Sequence, residues 1–235
     1  MTGVFVQVRV GSSRLPRKAL LDLAGRPMIE HAMRSLARVP ARVHALVTDE
    51  TSAGPLEPIA SGCGFRVFVG PEEHVLRRYV LAARHFGVDE IIRATGDNPL
   101  VSWELARLAV AQRRRLEADF LAYDGPPLGT GVEVVRAAAL EVALEESHDR
   151  YDAEHVSPFL YRNPQRFACV RLTAPPAYCY PQGRVTVDTE EDLRRVAALM
   201  QEIYDESPIP VIRLAHWFRA NRTVAERQNA CAARA

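Results

Sequence analysis

Four cations, Arg9, Arg14, Arg17 and Lys18, fall within one short stretch that also carries Gly11, Ser12 and Ser13. Residues 8–18 read VRVGSSRLPRK and follow directly on a β-branched stretch that reads as a strand. Small residues turn the chain tightly and present backbone N–H groups and hydroxyls, while the cations compensate charge on anionic oxygens. Together they predict a phosphate cradle. It is not a Walker loop, because the pattern counted from Gly11 requires Gly and Lys where Pro16 and Arg17 stand. Nor does the dinucleotide GxGxxG fingerprint occur in the sequence.

Two acidic residues complement that loop. Asp97 lies in RATGDNPL at the end of a predicted strand, and Asp188 lies in RVTVDTEEDL where Thr189 can cap the next helix. Taken singly, each reads as a turn or cap residue. Taken together, opposite a cationic loop, they suit a hard divalent cation that also binds phosphate oxygens, as Mg²⁺ does. Asp152, Glu154 and His155 cluster on a predicted helix. They read either as an acidic first turn or as part of an acceptor pocket or dimer interface, and Glu133 carries the same two readings. The run Arg113, Arg114, Arg115 reads as a solvated helix face, and Trp103 and Trp217 as packing residues. The cysteines at 63, 169, 179 and 231 form no CxxC pair and have no His at finger-like spacing, which argues for reduced thiols and against zinc.

The elements that must position these residues alternate. Residues 4–10, 43–47, 65–69, 90–94 and 119–123 read as strands. Residues 27–39, a short piece at 56–61, residues 74–86 ended by Gly87, and a Ser102-capped segment to about 116 read as helices. The expected fold is α/β, with a mostly parallel central sheet and helices on both faces, and with ligands outside the carboxyl ends of its strands. The second half breaks the rhythm after GPPLGTG. There we expect strands at 132–135, 167–173 and 184–187, and helices at 137–146, 152–161 and 190–205. The tail after residue 227 is expected to fray. Residues 1–235 read as one domain, with an excursion at about 125–180 that forms a lid or a dimer contact.

Composition limits the partners. The chain has 235 residues, and 30 Lys and Arg against 29 Asp and Glu leave a formal charge of +1. That balance gives no general pull on nucleic acid. An apolar share of 48% supplies one full core. The longest apolar runs are strand-length and no secretory leader is evident, so a cytoplasmic protein with no membrane contact is expected.

The cradle and both acidic motifs, with LAGRPMIEHAM (23–33), VTDE (47–50), VLRRY (75–79), GVEVV (131–135) and YDAEHVSPFLYRNPQRF (151–167), resemble the acylneuraminate cytidylyltransferase family. The similarity is to its spore-coat polysaccharide biosynthesis branch, with CMP-Kdo synthetases more distant, and it runs to about residue 205. It implies a Rossmann-like nucleotide-diphospho-sugar transferase fold and Mg²⁺-dependent transfer of CMP from CTP to a small sugar-like acceptor, with pyrophosphate released. Carried over by position, Arg9, Gly11, Ser12, Ser13, Arg14 and Lys18 would hold the triphosphate, with Asp49 and Gly96 in the same nucleotide site. Arg14 and Lys18 would offset charge on the leaving pyrophosphate, and Asp97 and Asp188 would bind the metal. Arg78, Arg93, Glu133, Asp152, Glu154 and His155 would face the acceptor. A homodimer is expected by the same resemblance. Among the departures from the family signature ARMGSTRLPGK, Arg17 replaces the glycine before the lysine, and Val8 and Val10 replace Ala and Met. Two rival readings are a glycosyltransferase using a nucleotide-sugar and a nucleotide-binding module without catalysis. The first usually carries a DxD motif, which this sequence lacks.

Overall fold

The computed structural model describes residues 1–11 and 14–221. A seven-stranded sheet forms its centre. The strands that build it are β1 (Thr2–Gln7), β4 (Val43–Thr48), β5 (Arg66–Val69), β6 (Glu90–Thr95), β7 (Phe120–Asp124), β8 (Glu133–Arg136) and β9 (Cys169–Thr173). Their order is β5-β4-β1-β6-β8-β7-β9. β8 alone runs antiparallel, between β6 and β7. Two short strands, β2 (Asp22–Leu23) and β3 (Arg26–Pro27), pair with each other outside this sheet. The helices are α1 (Met28–Leu36), α2 (Glu50–Gly62), α3 (Val75–Phe86), α4 (Trp103–Arg115), α5 (Ala137–Glu146), α6 (Arg150–His155), α7 (Pro158–Arg162), α8 (Glu190–Ile203) and α9 (Val211–Ala220).

Alternation along β1 explains the layers. Val4 and Val6 pack in one cluster with Ile29, Met33 and Leu36 of α1 and Ala106 of α4. Phe5 points the other way, toward Leu76 and Tyr79 of α3 and Leu140 of α5. Both faces of the sheet are therefore buried, as a parallel sheet with crossover helices requires. Helix ends follow from single residues. Ser102 Oγ accepts from Leu105 N–H at 3.1 Å to start α4, and Gly87 ends α3 in the left-handed conformation. A reciprocal capping box between Thr189 and Asp192 starts α8.

Several expectations need correction. The segment at 184–187 is not a strand: only Arg184 makes a bridge, to Leu128. Its period-two pattern arises because Val185 and Val187 are fully buried against α8 and α9, while the chain runs as a strap across the sheet's carboxyl rim. Burying each valine contributes roughly 1.5–3 kcal/mol, so the strap is anchored without sheet hydrogen bonds. The helix expected at 152–161 is two helices, α6 and α7. They are separated by a γ-turn at Val156 (φ 74°, ψ −58°), closed by Ser157 N–H donating to His155 O at 2.9 Å. The short piece at 56–61 is the second half of α2, which runs on through Pro55 and Pro58 despite their missing N–H groups. β1 stops at Gln7, three residues earlier than expected, where the loop begins. The arginine run on α4 is not simply solvated, since Arg113 and Arg114 both bind the buried Glu90 carboxylate at 2.7 Å. Helix α9 and the β2–β3 hairpin were not foreseen. The tail after residue 227 lies outside the described residues.

Candidate active site

The loop after β1 is held at its root by the neighbouring strand and helix. Thr48 Oγ1 donates to Val8 O at 2.6 Å, and Val10 N–H donates to Ser52 Oγ at 2.9 Å. Ser52 in turn donates to Asp49 Oδ2 at 3.0 Å, while Asp49 Oδ1 accepts from Thr51 Oγ1 and Ser52 N–H at 2.7 and 2.9 Å. Burial works to raise the Asp49 carboxyl, but these hydrogen bonds and the Arg78 charge hold it below the ordinary value. Asp49 is thus a buried helix cap whose oxygens are already engaged. It acts on the loop through Ser52. Gly96 also supports from behind. A Cβ there would lie 2.8 Å from Val8 Cβ and 2.9 Å from Ile29 Cδ1, so only glycine lets the β6 loop pass the loop after β1.

The loop's far end brings both acids together. Lys18 Nζ stands 3.0 Å from Asp188 Oδ1 and 3.6 Å from Asp97 Oδ2, and also donates to Val187 O at 3.0 Å. Arg14 Nη2 reaches Asp188 Oδ1 at 3.3 Å, and Arg184 Nη2 reaches Asp188 Oδ2 at 3.4 Å. The strap is keyed to the β6 loop by Val187 N–H donating to Asp97 O at 3.0 Å. Asp192 Oδ2 fixes the strap's end by accepting from Asp188 N–H and Thr189 N–H, at 3.1 and 3.0 Å. Residues from three distant parts of the chain therefore meet at the carboxyl rim. Asp97 Oδ1 is buried and has no hydrogen-bond partner among the described residues. A buried carboxylate oxygen without a donor is costly unless a cation meets it. No cluster of three or more His, Cys, Asp or Glu suited to a metal occurs among the described residues. Asp97 and Asp188 together offer two carboxylates, a set that Mg²⁺ completed by phosphate and water would fit. Arg9 and Gly11 are exposed on the loop, and Ser12 and Ser13 lie outside the described residues.

A second polar cluster occupies the neighbouring strands. Arg93 on β6 donates through Nη1 to Glu133 Oε2 of β8 at 2.8 Å and through Nε to Gln7 Oε1 of β1 at 3.1 Å. Ser157, delivered by the γ-turn, donates to the same Glu133 oxygen at 2.7 Å. Burial works to lower the Arg93 guanidinium, but the charges of Glu133, Tyr79 and Asp97 and the bond to Glu133 leave it raised. Four other residues were expected at the acceptor: Arg78, Asp152, Glu154 and His155. Arg78 is buried and spends Nε and Nη2 on Pro71 O and Glu72 O at 2.7 to 3.0 Å, clamping the loop after β5. Asp152 is buried on α6, where Ser147 Oγ donates to it at 2.5 Å and Arg162 pairs with it, so it joins α6 to α7. His155 is exposed, its ring tilted against Tyr151 with centroids 4.2 Å apart, and Glu154 beside it is exposed as well. Gln7, Ser52, Ser157, Arg184 and Asp192 were missed. Only Asp192 had a local signal, the Thr-x-x-Asp spacing of a capping box.

A parallel sheet with a basic loop after its first strand and two acids at its carboxyl rim defines a Rossmann-like nucleotidyltransferase fold. The chain belongs to the cytidylyltransferase family, which it matches over residues 4–213. It is 32% identical over 233 residues to the spore coat polysaccharide biosynthesis protein SpsF of Bacillus subtilis, covering 96% of this chain and 97% of that one. A cytidylyltransferase structure from Leptospira borgpetersenii superposes with a TM-score of 0.86 at 24% identity, covering 95% and 96% of the two chains. CMP:2-keto-3-deoxy-manno-octonic acid synthetase complexed with CTP superposes with a TM-score of 0.65 at 19% identity, covering 86% of this chain and 99% of that one.

Proposed function

We propose that this cytidylyltransferase moves CMP from CTP to a sugar-like acceptor, in a Mg²⁺-dependent reaction of surface-glycan or related biosynthesis. The observation that carries the reading is the convergence of Lys18 with Asp97 and Asp188. The reaction needs no covalent enzyme intermediate. An acceptor oxygen bonds to the α-phosphorus as the bond to the β-phosphate oxygen breaks. Pyrophosphate leaves with that electron pair, and a hydroxyl proton, where the acceptor has one, passes to solvent. The chain's contribution is alignment and charge neutralisation. Lys18 and Arg14 offset the charge gathering on pyrophosphate, and Arg184 keeps Asp188 in place. Asp97 and Asp188 would hold Mg²⁺, which when bound supplies charge neutralisation at the phosphoryl oxygens. Arg93, oriented by Glu133 and Gln7, belongs to the acceptor side, where sugar acids, phosphorylated sugars and phosphonates are all suitable partners.

The test is a matrix of four nucleoside triphosphates against an acceptor panel, read by pyrophosphate formation. CTP with Mg²⁺ and one acceptor class should give pyrophosphate in stoichiometric yield. Sugar transfer from a nucleotide-sugar without pyrophosphate would point to a glycosyltransferase, and nucleotide binding without turnover to a non-catalytic module.

A further inference from the structure

The turn that delivers Lys18 has a conformational feature that the catalytic reading leaves unused. Lys18 N–H donates to Leu15 O at 3.2 Å, and between them Pro16 is followed by Arg17 at φ 54°, ψ 28°. A turn with proline second and a left-handed third residue favours glycine there, because a side chain crowds the backbone. This explains the glycine of the family signature and makes Arg17 a costly substitute. Nothing in the fold compensates. Arg17 is exposed, and although its carbonyl accepts from Leu20 N–H at 2.8 Å, its side chain caps nothing and makes no hydrogen bond or ion pair with any described residue. Its neighbours Arg14 and Lys18 differ, since both reach Asp188. A cation on strained backbone, next to the phosphate-facing lysine and with no side-chain partner among the described residues, needs a ligand to account for it.

We propose that Arg17 is a further polyphosphate-binding residue, pairing with the terminal phosphates of the bound triphosphate and with pyrophosphate as it leaves. This rests on the nucleotidyl-transfer reading. Guanidinium suits the role because its planar fork binds two phosphate oxygens at once. The acceptor is a less fitting partner, since the Arg93–Glu133–Ser157 cluster belongs to other elements, β6, β8 and the γ-turn before α7.

Titration calorimetry with pyrophosphate and with CTP, thermal melting and steady-state kinetics on wild type, R17G and R17K test it. R17G should melt no lower than wild type, because the left-handed strain is relieved, yet bind pyrophosphate about fivefold more weakly and show a raised KM for CTP. R17K should fall between them, with a steeper loss in salt. Wild-type pyrophosphate affinity in R17G would overturn the proposal, as would a raised KM for acceptor alone. A wild-type protein that binds neither pyrophosphate nor CTP would instead sink the nucleotidyl-transfer reading itself, and this proposal with it.

Discussion

Replacing Lys18 by glutamine removes the ammonium that joins the two acids while keeping most of the side chain's length. At 3.0 Å from Asp188, and with an effective dielectric constant of ~20, the gross attraction is about 5 kcal/mol. Most of that is cancelled by lost hydration, because Lys18 is 17% exposed and Asp188 and Asp97 are 19% and 31% exposed. The net cost to stability should then be about 1 kcal/mol, a fall of roughly 2–4 °C in Tm for a chain of this size. The effect on chemistry should be larger, since charge gathers on pyrophosphate only as the transition state forms. Loss of one such donor lowers kcat by roughly 10²–10³. Pyrophosphate release at saturating CTP, alongside a thermal melt, measures both. A kcat within twofold of wild type would refute the role of Lys18. A Tm drop beyond about 10 °C would recast it as a structural tie between loop and strap.

Three further outcomes follow from the geometry. Gly96→Ala drives a methyl into Val8 and Ile29 and should cost about 1–3 kcal/mol, with weaker CTP binding; an unchanged Tm would contradict the close approach. Glu133→Gln keeps the shape but removes the charge that holds Arg93. It should cost about 1–2 kcal/mol and raise KM for the acceptor, so a change confined to CTP would contradict its placement. His31 is buried and His44 half-buried, and burial lowers both side chains below their ordinary value although each meets a backbone carbonyl. The unfolded chain then binds more protons once pH falls below about 6.5, so this share of stability is complete above that pH and lost progressively below it. Tm should fall from pH 7 to 5.5, and His31→Gln should flatten the slope; an equal slope in that variant would refute the assignment.

The parts of this molecule that were legible beforehand are those encoded locally. Apolar, β-branched runs alternating with helical segments marked the parallel strands, Gly87 and Ser102 marked helix ends, and the cluster of cations marked the loop after β1. The joining of Asp97 and Asp188 at Lys18 was legible because each acid follows a recognisable extended segment. What stayed hidden depends on contacts across the chain. The alternation of Val185 and Val187 is the same whether an extended segment sits in a sheet or straps a hydrophobic cluster, so 184–187 was misread as a strand. Arg78, Asp152 and Asp49 carry charges that suit a ligand equally well, and only the fold reveals their bonds to Pro71, Arg162 and Ser52. Ser157 reaches Glu133 because Val156 adopts a positive φ, which its β-branched side chain gives no reason to expect.

The central claim, that Asp97 and Asp188 form one divalent-cation site with bound nucleotide, is tested most directly with Mn²⁺. Electron paramagnetic resonance of Mn²⁺ added to protein and a non-hydrolysable CTP analogue reads protein-bound metal against metal held by nucleotide alone. The account predicts protein-dependent Mn²⁺ binding in wild type, weakened at least about tenfold, or ~1.4 kcal/mol, in both Asp97→Asn and Asp188→Asn. Wild-type Mn²⁺ affinity in either folded variant would contradict it.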